Sequence, residues 1–385
     1  MIYKLPKERY SSIIPLFKDK SYLNIFRSHL GYTTIKKTVY VDSLDNPQTA
    51  VIVVVPRLFF GGKADNKNFN KSFQKILYNQ LIHEFFKQNQ QEVVCYLAND
   101  EWLESIKNIL NDPYFYEYYY YEIKKLKIEN WRDLIPPKYT LEPINITLLE
   151  KQYLKNYEWL LEELKENWLP FEEGLKEIRG FYLVWKDEEI VSWCTLEYLT
   201  NENDIEVGIA TNPDYQNKGL ATLVGSATAD FALKKYNSVG WNCSANNTGS
   251  WKTAEKIGYE RQVAYMKAGC FFNRVDNCIV NGFVQARKKN YIEAIKWYKK
   301  VINLAHKKDP DFETTVVLNE EFPFSRLIFR LSTYYAAIED VTNSFKYLKM
   351  AIENGFNDKN LLENDELIKI LHKKAEWREI IAKMK

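Results

Sequence analysis

A short segment in the middle of the chain, Gln216-Asn217-Lys218-Gly219-Leu220-Ala221, has the residue types of a phosphate-binding loop. An apolar, strand-like segment precedes it and a helix-like segment follows, so the loop leads directly into a helix start. The first N–H groups of a helix have no partner inside the helix, and the helix dipole adds positive potential there. Gly219 lets a ligand approach the backbone closely, and Lys218 adds a full positive charge. These features predict a pyrophosphate site built mainly from backbone donors.

The strand predicted before this loop, residues 205–211, carries the candidate general base, Glu206. Successive side chains of a strand point to opposite faces, so Glu206 shares its face with Gly208 and Ala210. Because those two residues are small, we expect room for a ligand beside the carboxylate. The alternative, a strand residue that faces solvent, stays open at this point. The opposite face is apolar and consists of Ile205, Val207 and Ile209.

Three blocks follow from the hydrophobic patterns and from the Pro136-Pro137 linker. Residues 1–134 and 139–272 each mix strands with helices, whereas residues 277–385 are helical throughout. We therefore predict an α/β fold of the α+β kind, followed by an all-α domain.

The first two blocks show the same order of strand, loop, long helix, strand, short helix and strand. This order indicates an internal duplication in which the first copy lacks the phosphate-binding loop. An unrelated α/β accessory domain is the alternative. The compared segments are 50–55, 56–70, 71–87, 92–97, 100–110 and 114–123 in the first block, and 205–211, 212–218, 219–235, 239–244, 249–257 and 259–268 in the second.

The helical block resembles tetratricopeptide repeats, in which small residues let two helices approach closely. Its pattern recurs after 50 residues instead of the usual 34, which predicts an insertion around residues 309–321. Such a region could bind a protein partner. The spacing of 50 relates Tyr298 to Leu348 and Val301 to Ala351. Gly282 and Ala294 also belong to the first repeat, and Leu331 and Tyr335 to the second.

The composition excludes several classes of protein. A net charge of +2, from 53 basic and 51 acidic residues, does not favour nucleic-acid binding. The five cysteines form no CxxC pair, so a disulfide framework or a zinc site is not expected, and a reducing cytoplasm is the expected location. No apolar stretch reaches the roughly 18–20 residues that span a bilayer, so no membrane association is expected.

The pattern Gln216-x-x-Gly219-x-Ala221 resembles the GCN5-related N-acetyltransferase superfamily, abbreviated GNAT, and Asn247 lies eleven residues before Gly258, as in its second coenzyme-contacting motif. The segments 206–211 and 218–221 are more specifically similar to the zwittermicin A resistance type of acetyltransferase. The resemblance implies a GNAT fold, in tandem with a degenerate N-terminal copy. It also implies transfer of an acetyl group from acetyl-CoA, leaving coenzyme A, to a small-molecule amine such as an amino-bearing antibiotic.

The same resemblance assigns roles to residues. The backbone of Gln216, Asn217, Lys218, Gly219, Leu220 and Ala221 would hold the pyrophosphate. Ile209, Ala210 and Thr211 would lie along the pantetheine arm, which Asn247 would also contact; a helix-entry residue is the alternative for Asn247. Glu206 would be the base. Ala254 occupies the position of the usual acid, a tyrosine. Tyr265 on the last strand is the candidate substitute, and departure of the thiolate without an acid is the alternative. The turn that overhangs the acceptor in this superfamily would bind it: its carboxylates would attract an ammonium group and its aromatic rings would stack on it. A solvated helix face is the alternative. The residues of this turn are Trp168, Phe171, Glu172 and Glu173.

The chain's four histidines, His29, His83, His306 and His372, lie outside these segments. We therefore expect neither a histidine base nor a metal. A nucleophilic Cys243 has no histidine to activate it, so we expect a small core residue there. Two other functions remain open: an aminoacyl-tRNA-dependent peptidyl transferase of the tandem type, and a non-catalytic acyl-CoA-binding protein whose helical repeats recruit a partner.

Overall fold

The computed structural model describes residues 2–17, 36–167, 174–200 and 203–383. The chain divides into two compact units. Unit 1 comprises Met1–Phe73, Cys95–Ser105 and Tyr116–Lys267, and unit 2 comprises Gln74–Val94, Ile106–Phe115 and Ala268–Lys385. Within the described ranges, no helix is both long and apolar enough to cross a bilayer.

The described strands form one sheet in the order β1-β2-β3-β4-β5-β12-β6-β11-β10-β9-β8-β7. Strand β6 therefore pairs with β11, and β12 lies between β5 and β6, although β12 is the last strand of the chain. The strands are β1 Tyr3–Lys4, β2 Thr38–Val41, β3 Thr49–Val54, β4 Arg57–Gly62, β5 Glu92–Leu97, β6 Tyr114–Ile123, β7 Tyr139–Pro143, β8 Gly180–Trp185, β9 Glu189–Glu197, β10 Asp204–Thr211, β11 Ser238–Ser244 and β12 Tyr259–Phe271.

Strand β4 corrects the expectation of a loop over residues 56–70. It forms a tight antiparallel hairpin with β3, in which Val54 pairs with Arg57. Gly61, which suggested a loop, instead provides space for a ring, because a Cβ there would collide with Phe17. The hairpin forms because β4 buries three large apolar side chains, Leu58, Phe59 and Phe60.

The helices that follow these strands match the predicted order. The helix predicted after the first strand begins as α1, Lys67–Ile76, passes through a π-helical turn and continues as α2, Ile82–Lys87. The remaining helices before residue 260 are α3 Trp102–Ile109, α4 Tyr157–Asn167, α5 Leu220–Ala232 and α6 Thr248–Ile257. Short 3₁₀ turns lie at Lys7–Phe17, Trp131–Leu134, Ile146–Glu150 and Pro213–Tyr215.

Helix α5 covers the apolar face of β10. Ile205 and Val207 are buried there with Leu220 and Val224 of the helix, and Trp241 of β11 joins the same cluster. This packing fixes which face of β10 is apolar, so Glu206 must point to the other side of the sheet, as the alternation predicts.

The helical character of the C-terminal region is confirmed. The first helices pair through Gly282, where a Cβ would collide with the ring of Tyr298. The segment of residues 307–323, which follows the second of these helices, contacts the first: Asp276 accepts hydrogen bonds from the backbone N–H groups of Val316 (3.0 Å) and Val317 (3.1 Å). An insertion relative to the tetratricopeptide period stays a prediction. The helices are α7 Arg274–Arg287, α8 Tyr291–His306, α9 Phe324–Ala337, α10 Val341–Glu353, α11 Lys359–Asn364, α12 Lys369–His372 and α13 Ala375–Lys383, with a 3₁₀ turn at Pro310–Phe312.

Candidate active site

The parallel strands β10 and β11 separate part-way along their length. Their ladder runs from the pair Asp204/Ser238 to the pair Val207/Trp241. Both strands continue past that point, β10 to Thr211 and β11 to Ser244. On its other side, β10 stays paired with β9 as far as Thr211. The edge of β10 that faces the gap can therefore pair with an extended ligand as an added strand would.

A cavity of about 600 Å³ opens at the end of β10, where the helices α5 and α6 begin. All the predicted coenzyme contacts except Lys218 line it. Two helix starts thus direct their positive dipole ends to one cavity, and the start of α5 has no side-chain cap on its N–H groups, which suits an anion. The lining residues are Ile209, Ala210, Thr211, Tyr215, Gln216, Asn217, Gly219, Leu220, Ala221, Thr222, Asn247, Gly249, Ser250, Lys252, Thr253 and Lys256.

Gly219 immediately precedes α5 and adopts a left-handed conformation with φ of 80°. A Cβ at this position would meet no atom within 4 Å, so glycine is favoured by the backbone conformation and not by crowding within the protein. Asn217 is also left-handed, with φ of 60°. The loop therefore bends the chain so that the first N–H groups of α5 face the cavity.

Lys218 and Asn247 each have a partner in the protein. The Lys218 ammonium donates to the carbonyl oxygen of Asp214 (2.8 Å) and lies 4.6 Å from the centre of the Tyr215 ring. Its contact with a ligand stays a prediction. The Asn247 side chain accepts from the N–H of Ser250 (3.1 Å) and so caps α6, which agrees with the helix-entry alternative, although Asn247 also lines the cavity.

Two lysines of α6, Lys252 and Lys256, line the cavity and were missed by the motif analysis. Their spacing of four residues places them on one face of the helix, and both are exposed. That spacing was visible in the sequence, but the motif directed attention to the loop before α5. The two lysines add positive charge to a site that already suits an anion.

Glu206 is almost fully buried, with 3% of its surface exposed. One carboxylate oxygen, Oε2, accepts a hydrogen bond from Nδ2 of Asn242 (2.8 Å). The other, Oε1, is buried without a partner among the described residues. Burial raises the pKa of Glu206 to about 7, although the Asn242 hydrogen bond and the charge of Lys267 oppose this shift. A carboxyl group with such a pKa can accept a proton near neutral pH.

Tyr265 is joined to Glu206 through Asn242. Its hydroxyl donates to Oδ1 of Asn242 (3.0 Å), whose amide group donates in turn to Glu206. The two predicted catalytic residues therefore belong to one hydrogen-bonded chain, and Asn242, which the sequence did not single out, connects them. Ala254 is fully buried in the core behind the sheet.

The expectation of free space beside Glu206 is partly wrong. The space over Gly208 is filled by Glu197, whose carboxylate a Cβ at Gly208 would strike. Glu197 pairs with Glu206 across β9 and β10, and Oε1 of Glu197 accepts from the Thr195 hydroxyl (2.7 Å). Burial raises the pKa of Glu197 to about 8. Gly208 therefore allows a second carboxyl group into the site.

Two basic side chains lie in the same polar cluster. Lys267 is buried, and its ammonium lies 3.6 Å from the ring centre of Tyr118 and 4.2 Å from that of Tyr96. Burial lowers the pKa of Lys267 to about 8. The partly exposed Arg57 forms a hydrogen bond with Tyr96. These residues come from β4, β5, β6 and β12, so no local motif could have indicated them.

A family model matches most of the α/β part of the chain. Residues 14–267 match the family model described as GNAT acetyltransferase. The chain belongs to the GNAT acetyltransferase family. It is 24% identical over 270 residues to the uncharacterized N-acetyltransferase YdfB of Bacillus subtilis (strain 168), an alignment that covers 69% of this chain and 97% of YdfB.

The fold of this GNAT acetyltransferase is also that of a solved relative. A GCN5-related N-acetyltransferase-like protein from Streptococcus suis 89/1591 superposes with a TM-score of 0.50 at 21% identity, covering 68% of this chain and 98% of the relative. The α/β part of the chain is therefore a GNAT-like fold. Membership of the GNAT acetyltransferase family identifies the protein as an N-acetyltransferase. Families of this fold typically use acetyl-CoA.

Three further predictions for this GNAT acetyltransferase concern the acceptor-binding turn, Cys243 and a metal site. Trp168, Phe171, Glu172 and Glu173, the predicted acceptor-binding turn, lie outside the described residues. Cys243 is buried, and its burial raises the pKa of its thiol to about 11, which keeps the thiol protonated. Among the described residues, no group of three or more His, Cys, Asp or Glu side chains could hold a metal ion.

Proposed function

We propose that the protein transfers an acetyl group from acetyl-CoA to a primary amine of a small molecule, with Glu206 as the general base. The observation that supports this most is the position of a buried carboxylate on the strand that leads to the cavity, with one oxygen that has no partner in the described part of the chain. Glu206 lies three residues before Ile209, a separation of about 10 Å along a strand.

The cavity fits acetyl-CoA by the chemistry of its donors. The N–H groups at the start of α5 would hold the pyrophosphate, and Lys252 and Lys256 would add positive charge beside it. The free edge of β10 at Ile209–Thr211 would pair with the pantetheine arm. Bound there, acetyl-CoA supplies an acetyl group on a thioester sulfur.

Glu206 and Tyr265 would transfer the protons of the reaction. An amine is a nucleophile only when neutral, so a group near the acceptor must take up one proton for each acetyl group transferred. Glu206 has the pKa for this task, and its unpaired Oε1 is the oxygen free to receive the proton. The departing sulfur needs a proton as well, which the Tyr265 hydroxyl would donate. After the products leave, Glu206 would release its proton to solvent and the Tyr265 phenolate would take one up, so the protons balance. Asn242 would hold the two side chains in place.

Further parts of the proposal rest on sequence patterns. These are an acceptor such as an amino-bearing antibiotic, a degenerate first copy of the fold in residues 1–134, a catalytic domain over 139–272, and a tetratricopeptide-like region over 277–385 that binds a protein partner in the cytoplasm. The helix pair that buries Tyr298 beside Gly282 supports the tetratricopeptide-like interpretation.

Glu206→Gln tests the proposal, because the amide cannot accept a proton in place of the carboxylate. We expect kcat to fall about 100-fold or more at neutral pH, while the affinity for acetyl-CoA changes little. The loss should shrink at high pH, where free amine is abundant. The assay follows release of the coenzyme A thiol with a panel of primary amines. Glu260→Gln, an exposed position on β12, is the matched control. Full kcat in Glu206→Gln from pH 6 to 9 would contradict the role of base.

A further inference from the structure

Tyr96 holds both basic side chains of the polar cluster. Its hydroxyl forms a hydrogen bond with Arg57, and the face of its ring lies 4.2 Å from the Lys267 ammonium. The Tyr96 ring is itself fixed by stacking on Phe59, at a centroid distance of 4.8 Å. Two like charges are thus kept near one another by a rigid aromatic side chain in a largely buried environment.

The same basic pair lies beside the proposed base. Lys267 and Tyr265 are two residues apart on β12, so their side chains share one face of the sheet. The ring of Tyr265 lies 6.0 Å from that of Tyr118, which contacts the Lys267 ammonium. From Tyr265 the hydrogen-bonded chain leads through Asn242 to Glu206. A ligand bound at Arg57 is therefore near Tyr265 and Glu206, the proposed acid and base.

The carboxyl groups of the cluster do not balance this positive charge. Glu197 attracts Arg57, but its Oε1 is bound to the Thr195 hydroxyl and burial favours its protonated form near neutral pH. Glu206 must be free to gain and lose a proton during the reaction. Arg57 is always charged and keeps part of its surface exposed. The cluster thus has an excess of positive charge with one accessible donor group.

We propose that the acceptor carries an anionic group, a carboxylate or a phosphate, near the amine that is acetylated, and that Arg57 and Lys267 bind this group. This inference rests on the proposed function and adds the substrate class. Arg57 makes the direct contact, because a guanidinium offers two parallel N–H donors to a carboxylate or phosphate. Lys267 attracts the anion by its positive charge, without a direct contact, since its ammonium is held against the rings of Tyr96 and Tyr118. The anion then holds the amine beside Glu206.

The test compares matched amines on the full-length protein at saturating acetyl-CoA. The pairs are L-lysine with cadaverine, which lacks the carboxylate, and O-phosphoethanolamine with ethanolamine, which lacks the phosphate. We expect kcat/KM to be about ten-fold or more higher for the anionic member of at least one pair. The pair that shows the difference identifies the anion as a carboxylate or a phosphate.

Arg57→Gln should reduce this preference about ten-fold or more, and the neutral amines should lose far less. Arg57→Lys keeps the positive charge but loses the two parallel N–H donors, so it should retain part of the preference. This variant distinguishes a binding role of Arg57 from a failure of the protein to fold. Arg132→Gln is the control, because Arg132 lies on the surface and pairs with Asp230 (3.0 Å).

Two results would overturn the inference: equal kcat/KM for both members of each pair in the wild type, or an equal loss for both members in Arg57→Gln. A different result distinguishes failure of the proposed function. If acetyl-CoA binds but no amine of the panel is acetylated, the proposed function is wrong, and the inference falls with it.

Discussion

Glu197 and Glu206 are neighbouring carboxyl groups with different surroundings. Glu197 has a hydroxyl donor on Oε1 and a pKa raised to about 8, whereas Glu206 has an amide donor on Oε2, an unpaired Oε1 and a pKa raised to about 7. Near neutral pH the first is mostly protonated and the second is divided between its two forms. Only Glu206 is therefore suited to exchange protons during turnover.

Asn242→Ala should move the pH dependence of the reaction. The Asn242 hydrogen bond stabilises the charged form of Glu206 and so lowers its pKa, which means that its loss raises the pKa further. As the proposed base, Glu206 must be deprotonated to act, so kcat in the wild type should rise through about pH 7 and that rise should shift to higher pH in the variant. The measurement is kcat from pH 5.5 to 9.5.

Two further variants are compared with Asn242→Ala to identify the cause of that shift. Tyr265→Phe removes the hydroxyl but keeps the bond between Asn242 and Glu206, so it should lower kcat without moving the rise. Asn246→Ala changes an exposed asparagine of the following turn and should do neither. An unshifted profile in Asn242→Ala would show that the amide does not control the protonation of Glu206.

At the scale of the elements, the proposed coenzyme site depends on where one strand ends and two helices begin. The gap between β10 and β11 opens after Val207 and Trp241, and the starts of α5 and α6 lie at the cavity beyond it. The left-handed conformation of Gly219 sets the direction in which α5 departs from the loop.

Gly219→Glu should therefore weaken coenzyme binding strongly with the fold retained. Its carboxylate would lie at the helix start where the pyrophosphate is expected, and the open space around Gly219 lets the protein accept the side chain. The left-handed backbone should cost about 1–2 kcal/mol of stability for any residue with a Cβ. We expect a loss of acetyl-CoA affinity of about 100-fold, measured by calorimetry. The new carboxylate would repel the pyrophosphate, and the pyrophosphate would lose its contact with the backbone at the start of α5.

Gly355→Glu is the matched control for this experiment. Gly355 also has a positive φ, 93°, and no atom within 4 Å of an added Cβ, but it lies in the helical region. It should lose similar stability without any loss of affinity. Unchanged affinity in Gly219→Glu would exclude the loop as the pyrophosphate site.

At the scale of the whole molecule, unit 2 combines the helical region with two earlier segments, 74–94 and 106–115. The side chain of Asn277 donates to the carbonyl oxygens of Asn111 (3.1 Å) and Asp112 (2.9 Å), and Asn281 also donates to Asp112 (2.9 Å). The helices after residue 272 thus satisfy backbone groups of a segment that lies far earlier in the chain.

Removal of all residues after Phe272 should lower the melting temperature but leave acetyl transfer measurable. The cavity-lining residues lie between Ile209 and Lys256, and the proposed base and acid also precede the cut. Stability should fall because the carbonyl oxygens of residues 111 and 112 lose their donors and the apolar side chains packed on the helices become exposed. The paired measurements are calorimetric melting and thiol release.

A gentler variant, Asn277→Ala in the full-length chain, should lower the melting temperature by less and leave kcat unaltered. A truncated protein that is well folded yet inactive would show instead that the helical region contributes to the acceptor site.

Local sequence alone determined the conformation of the loop at residues 216–221 and the orientation of Glu206. A strand followed by a left-handed glycine and a helix start is specified by neighbouring residues, and the alternation along β10 fixes which side chains share a face. These features need no knowledge of distant contacts, so the loop, the apolar face of β10 and the helical character of the C-terminal region could be predicted.

Only the tertiary structure placed Arg57, Tyr96, Glu197, Asn242 and Lys267 around Glu206. They lie on different strands, and the sheet order brings β12 between β5 and β6, far from its neighbours in sequence. Pairing between such distant strands depends on the burial of whole faces, which residue-by-residue patterns do not encode. The same limit hid β4, whose glycines suggested a loop until its packing against Phe17 was known. The chemistry of the loop was therefore local, whereas the chemistry of the acceptor site arises from long-range strand pairing.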